Sequence, residues 1–326
     1  FMKHIVSLIF KVFLLAVAVI ACIVFYLYTI GFFAVSPCVG LVASPGGKAY
    51  LDVSALETSL AAQGVELLTP QPEESAVEAA GRFLDSGASV LIVLQDSTSV
   101  SSALLTEAAT AGATVLFVGD SPDDATLSSS ANLWYLGSLA SYGGELLGQV
   151  IAMDYRDGTI SDANGDLLLQ YYLYQSDPDA DESDLASSAL AECEHYGVYT
   201  ARVEYTGEEG AALSFDAQSL DGQTPPEIIL CNSGPDAQAA LETAASLGWR
   251  EGEQPVRIYA AADTPEEADA LVAAGAQAVA HFDPVAMGET AAQMALNALD
   301  HRFPGLDTGL TADEAGRFTL PYGLSE

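Results

Sequence analysis

The sequence predicts an α/β protein of two Rossmann-like lobes, joined by interlobe crossings and preceded by one N-terminal transmembrane helix. Three observations predict it. A long apolar run without a charged residue opens the chain. Beyond it, short runs apolar on both faces alternate with amphipathic stretches, the pattern of parallel strands covered by helices. The strands are too numerous for one compact doubly wound sheet, and two stacked lobes are the natural solution.

The opening run extends from Val12 to Val35, and no charge occurs between Val12 and Gly47. Its 24 residues reach about 36 Å as a helix, enough for a hydrocarbon core of about 30 Å. Lys3, His4 and Lys11 precede it and the acidic bulk follows, so the positive-inside rule leaves the remainder outside the cell membrane. Two alternatives compete. A cleaved signal peptide has a shorter apolar core, roughly 7–15 residues. A lipoprotein signal is hinted at by Val19-Ile20-Ala21-Cys22, although Ile23 to Val35 stays apolar after that cysteine. Each gives the same extracytoplasmic compartment.

From Cys38 the alternation begins. Val39–Ser44 is an expected strand and Tyr50–Gln63 an amphipathic helix ending at Gly64, a suitable C-cap. Val65–Leu68, Ser89–Leu94 and Thr114–Val118 are further strands, separated by helices Glu74–Leu84 and Ser101–Ala111. The pattern then repeats. Asn132–Leu136, Leu167–Tyr174, Val198–Tyr205, Glu227–Cys231, Val256–Ala261 and Ala278–His281 read as strands. Tyr142–Tyr155, Ser183–His195, Ala237–Leu247, Pro265–Ala274 and Pro284–Leu299 read as helices. The expected domains are residues 1–36 as anchor or signal segment, 37–136 with 282–319 as one lobe, and 137–281 with 320–326 as the other.

Composition narrows the function. Forty-five acidic against ten basic residues give a net charge of −35. Nucleic acid is excluded as a partner, because phosphate binding needs clustered Lys and Arg. The four cysteines, Cys22, Cys38, Cys193 and Cys231, form no CxxC, and the four histidines show no metal spacing. A Cys38–Cys193 or Cys193–Cys231 bridge has no support from spacing. Gly40 to Lys48 is too long for a phosphate loop, and Ala49 stands where the Mg²⁺-binding Ser or Thr belongs. No GxSxG, HExxH or GxGxxG occurs, so the expectation is a binding protein and no enzyme.

Several stretches together resemble the type I periplasmic sugar-binding proteins. Trp134-Tyr-Leu-Gly-Ser-Leu-Ala-Ser-Tyr-Gly-Gly-Glu-Leu-Leu-Gly148 is similar to their first interlobe crossing. Glu227-Ile-Ile-Leu-Cys-Asn232 resembles the strand ending in a ligand-edge Asn, and Ala260-Ala-Ala-Asp263-Thr-Pro the strand ending in a ligand-binding Asp. His281-Phe-Asp-Pro-Val-Ala-Met-Gly288 and Leu320-Pro-Tyr-Gly323 resemble the two return crossings. The order and spacing hold from Cys38 to the C-terminus.

Among these relatives the galactose/glucose-binding proteins are closest, on one further motif. Asp162-Ala-Asn164-Gly-Asp166-Leu-Leu168-Leu-Gln170 sets oxygen donors at alternate positions, as a loop wrapping a hard cation does. The resemblance implies Ca²⁺ held by Asp162, Asn164, Asp166, the Leu168 carbonyl and Gln170, with a carboxylate from a distant strand, here Glu227. Leu167 departs from the pattern, since such loops have Gly there for a tight turn. A plain surface turn is the alternative reading, because Asp, Asn and Gly favour turns without any metal.

The sugar-binding set itself is largely replaced. Where the resemblance implies Asp and an aromatic in the first loop, Lys48 and Tyr50 stand. Gly119 with Asp120 stands for an Asn, and Ala180, Glu182 and Ala186 stand for His, Asp and Arg. No Trp lies between Tyr205 and Glu227. The candidate ligand residues are therefore Lys48, Tyr50, Asp120, Glu182, Asn232, Asp263 and His281, and galactose is not the expected ligand. Each has a plainer reading: Asp263-Thr-Pro265 as a helix cap, His281 as a hinge residue, Lys48 as an exposed loop charge. The expected function is binding of a sugar or sugar-like solute for an ABC permease, with a structural calcium ion. The alternative is a membrane-tethered sensory or interaction ectodomain with a degenerate cleft, partnered by a sensor kinase.

Overall fold

The computed structural model of the chain describes residues 17–22, 25, 37–43, 50–95, 100–176, 184–206 and 213–326. The strands are β1 (Cys38–Ala43), β2 (Glu66–Leu68), β3 (Val90–Gln95), β4 (Thr114–Gly119), β5 (Leu133–Gly137), β6 (Leu169–Tyr174), β7 (Thr200–Arg202), β8 (Ile228–Cys231), β9 (Arg257–Ala262), β10 (Ala278–His281), β11 (Arg317–Thr319) and β12 (Gly323–Ser325). The helices are α1 (Val53–Ala61), α2 (Ala76–Asp85), α3 (Ser102–Ala111), α4 (Asp124–Leu127), α5 (Ala140–Asp157), α6 (Asp184–His195), α7 (Gly234–Ser246), α8 (Pro265–Ala274) and α9 (Pro284–Leu299).

The strands form two six-stranded sheets, ordered β11-β5-β4-β3-β1-β2 and β12-β10-β9-β8-β6-β7. Every pairing is parallel except that of β12 with β10. Their continuous apolar strands are explained by cover on both faces. Along β3, Val90 and Ile92 pack with Leu56, Leu60, Met287 and Met294 of α1 and α9. Leu91 and Val93 point the other way, onto Phe83 of α2 and Leu104 of α3. The second sheet repeats the arrangement. Leu169, Tyr171 and Leu173 face α5 and α6, while Ile229 and Cys231 face α7 and α8.

Local signals set the helix starts. Ser75 caps α2 in a reciprocal capping box with Glu78, and Pro follows the caps of α7, α8 and α9. The first predicted helix begins at Val53 instead of Tyr50, because Asp52 accepts the Ala55 N–H (2.8 Å) as its N-cap. The strand expected from Leu167 begins at Leu169, and that expected over Val198–Tyr205 is paired only at Thr200–Arg202. The short α4, β11 and β12 carry no periodicity long enough to predict.

Of the predicted Val12–Val35 span, residues 17–22 and Phe25 are helical and the others lie outside the described residues. Among the described residues no helix is long and apolar enough to cross a membrane. All four cysteines are free, so neither bridge forms.

Candidate functional site

In parallel α/β sheets the carboxyl ends of the strands and the amino ends of the following helices share one edge. Three connections join the two carboxyl edges: β5 to α5, β10 to α9, and β11 to β12. They touch one another. The Ser138 hydroxyl donates to the Leu320 carbonyl (2.9 Å), and the Phe282 and Tyr322 ring centroids lie 6.4 Å apart. Gly143 leaves room for the Tyr322 ring, which a Cβ there would meet at 2.8 Å. The two edges are thus joined by three short crossings in mutual contact, a geometry in which the lobes can hinge about a crevice between them.

On the second lobe, Asn232 follows β8, Asp263 follows β9 and His281 ends β10, and these three strands are neighbours. The sequence-predicted residues therefore share one edge. Thr264, not Asp263, caps α8: its hydroxyl accepts the Glu267 N–H (3.1 Å). Asp263 contributes only its backbone N–H to Glu267 (2.9 Å), so its carboxylate is released from the capping role. Burial pushes the Tyr322 hydroxyl pKa up, and the negative charge of Asp263 adds to it. His281 pairs with Gly323 of β12, and its Nδ1 is buried with no partner among the described residues. Asp236, 5% exposed, accepts the Ser176 N–H (3.0 Å) and so pins the loop after β6 to α7.

On the first lobe the Tyr50 hydroxyl donates to Asp120 (3.3 Å), bringing together two predicted residues 70 positions apart. Gly119 makes this approach feasible. Its φ is +111°, and a Cβ there would sit 2.6 Å from the Tyr50 ring. The Tyr135 hydroxyl donates to the Gly119 carbonyl (2.7 Å), and burial with the nearby Asp120 charge pushes its pKa up to about 12. Lys48 and Glu182 lie outside the described residues. One residue escaped the sequence reading. Gln95, the last of β3, is 6% exposed, and its Nε2 has no partner among the described residues. A buried donor left so costs about 1–3 kcal/mol. A polar residue closing the apolar run Ser89–Leu94 was the available signal.

Each arginine is either remote from the crevice or engaged by protein groups. Arg82 and Arg302 stand at the carboxyl ends of α2 and α9, Arg156 near that of α5, and Arg250 and Arg257 beside the amino end of β9. Arg202 lies on the edge strand β7. Arg317 is engaged by Ser121 (2.7 Å), the Pro122 carbonyl (2.8 Å) and Asp124 (2.6 Å).

The Asp162–Gln170 loop sits at the opposite edge, before β6. Asp162 accepts the N–H groups of Gly165 (2.7 Å) and Leu167 (2.9 Å), and Asp166 that of Leu168 (2.8 Å). The side-chain amides of Asn164 (2.8 Å) and Gln170 (3.0 Å) both donate to Asp166. Glu227 clasps the loop from β8, accepting the N–H groups of Ala163 (2.6 Å) and Gln170 (2.9 Å). Leu167 has φ +66°, the left-handed conformation for which such loops use Gly. Burial pushes the Glu227 pKa up, and the charges of Asp162 and Asp166 add to it. The donors thus fit a hard cation in kind, as an all-oxygen set around a buried carboxylate in a negative field. They do not yet converge: among the described residues no three His, Cys, Asp or Glu groups are grouped to hold a metal.

Comparison with known proteins places this geometry. A comparison with curated proteins returns no match. Solved structures do match in fold. One from Mycobacterium smegmatis is 14% identical with a TM-score of 0.63, covering 89% of this chain and 91% of that one. An ABC transporter periplasmic solute binding protein from Actinobacillus succinogenes, with bound D-allose, is 13% identical with a TM-score of 0.60, covering 89% and 97%. The periplasmic binding component of the arabinose ABC transporter from Shewanella sp. ANA-3, bound to L-arabinofuranose, is 18% identical with a TM-score of 0.52, covering 88% and 91%. The family model described as periplasmic binding protein domain matches residues 53–302, and with two parallel lobes facing each other across three crossings this chain belongs to that family, whose members bind solutes and are not enzymes.

Proposed function

We propose that the protein is an extracytoplasmic receptor that closes its lobes on a neutral sugar or sugar-like solute and presents it to an ABC-type permease. The observation that carries this reading is the alignment of Asn232, Asp263 and His281 along one carboxyl edge, opposite Tyr50 and Asp120 on the other. Planar polar side chains around a crevice are what a polyol needs, since each hydroxyl both donates and accepts. The fold relatives bound to D-allose and arabinofuranose support the class. The charge pattern supports a neutral solute. Among the described residues carboxylates stand on both edges while every arginine is engaged or remote, an arrangement that favours a neutral ligand over a phosphate or carboxylate, with Lys48 outside those residues as the one candidate cation.

Thermal denaturation with a panel of neutral monosaccharides tests this. A specific binder gains about 2.7 kcal/mol at a hundredfold excess over Kd. A melting temperature unmoved by every sugar overturns the reading.

The Asp162–Gln170 loop is proposed to take Ca²⁺, with Asp162, Asn164, Asp166, the Leu168 carbonyl, Gln170 and Glu227 as ligands. What supports it is the buried, negatively placed Glu227. The ion would supply charge neutralisation and rigidity to the loop and no chemistry. Calcium should raise the melting temperature and a chelator reverse the gain; identical melting in both removes the site.

The Val12–Val35 run is proposed to tether the protein to the cell membrane. The replaced polar set favours a second reading, a tethered sensory ectodomain acting through a sensor kinase. Permease and ATPase genes beside this one favour transport; a kinase gene favours sensing.

A further inference from the structure

We propose that Gln95 is a ligand-binding and specificity-determining residue of the first lobe, its side-chain nitrogen donating a hydrogen bond to the bound solute; this rests on the cleft reading above. Both sheets have the doubly wound order in which the chain turns outward in opposite directions from the junction of their first and third strands. In open α/β sheets the ligand crevice lies outside the carboxyl ends at that junction. In the second lobe the junction falls between β6 and β8, where Asn232 stands. In the first lobe it falls between β1 and β3, where Gln95 stands.

Gln95 is 6% exposed, yet its Nε2 has no partner among the described residues. Its backbone carbonyl is satisfied by the Asp120 N–H (2.9 Å), so the orphan is the side chain alone. Its register partner on β4 is Gly119, where the Tyr50 ring fills the space a Cβ would take, so the neighbouring position offers no hydrogen-bond acceptor from its own side chain. Buried amides ordinarily find a partner, and one that does not calls for an explanation. Leu or Met would end the apolar run Val90–Leu94 without the penalty. A donor kept at this junction against that penalty is one that the solute satisfies. A hydroxyl or ring oxygen accepts from Gln95, while other hydroxyls of the same molecule donate to Asp120 and Asp263. Asparagine at Asn232 then has an amide counterpart on the facing lobe.

The test uses the full chain with Gln95→Met, which keeps length and removes the donor, and Gln95→Leu as a second apolar variant. Without sugar, both are expected to melt about 2–4 °C higher than wild type, because the orphan is gone. Isothermal titration with neutral monosaccharides, D-allose and L-arabinose among them, should show about tenfold weaker binding of whichever sugar the wild type takes. Wild-type affinity in both variants overturns the inference and leaves the cleft reading intact. Lower melting temperatures with unchanged affinity likewise overturn it, making the amide structural. A wild type that binds no sugar of the panel overturns the cleft reading and this inference with it.

Discussion

Glu74 and Arg82 show how a single pair is fixed by its surroundings. Arg82 Nε and Nη2 reach the two oxygens of Glu74 at 2.8 and 2.7 Å, and the Gln71 N–H adds a third bond (2.8 Å). These bonds, the Arg82 one first, lower the Glu74 pKa from 4.5 to about 2. A depressed carboxylate pKa contributes stability that is present above the unfolded value and lost as pH falls through the folded one. The difference in melting temperature between wild type and Glu74→Gln is therefore expected to shrink between pH 4.5 and about 2. A difference independent of pH would show that the pair contributes nothing through charge. At the cleft the residue scale separates roles that sequence leaves merged. Asp263 and Thr264 were equivalent as helix caps until the hydroxyl of Thr264 was seen to do the capping.

At the scale of elements, α5 and α6 form the tightest helix pair of the second lobe. Gly144 and Gly148 face Leu185 and Ala189 one and two turns along. A Cβ on Gly148 would run into the Ala189 carbonyl and lie 2.6 Å from the Glu192 Cβ. In an exposed helix interior Gly→Ala stabilises by about 0.5–1 kcal/mol. Here the overpacking term of about 1–3 kcal/mol has the opposite sign and prevails. Gly148→Ala is thus expected to lower stability in urea denaturation, and a stabilised variant would show that the helices can separate freely. The glycines were visible in the sequence within the crossing motif, but nothing local says which neighbour they admit. That depends on α6, some 40 residues away.

For the whole molecule the dominant long-range term is repulsion among 45 acidic residues against 10 basic ones. Raising ionic strength from 0.01 to 1 M shortens the screening length from about 30 to about 3 Å. Self-repulsion opposes the compact state, so the melting temperature should rise with sodium chloride across this range. A flat or falling curve would mean that the charges are already dispersed enough not to interact. The same acidity shapes the crevice, because carboxylates stand on both edges and Arg317 is engaged by Ser121 and Asp124.

The sequence by itself determined the class of fold. Strands such as Val90–Leu94 are apolar on both faces and alternate with helices, the pattern of a parallel sheet covered twice. The resemblance to type I periplasmic sugar-binding proteins singled out Asn232, Asp263 and His281, each of which closes a run read as a strand. The pairings that span the chain were decided by tertiary structure. Three-residue strands such as β11 and β12 exist only because a distant strand offers them hydrogen bonds. Tyr50 meets Asp120 only because Gly119 leaves space. The unpartnered nitrogen of Gln95 is invisible in a string of letters, since lacking a partner is a property of everything packed around a group.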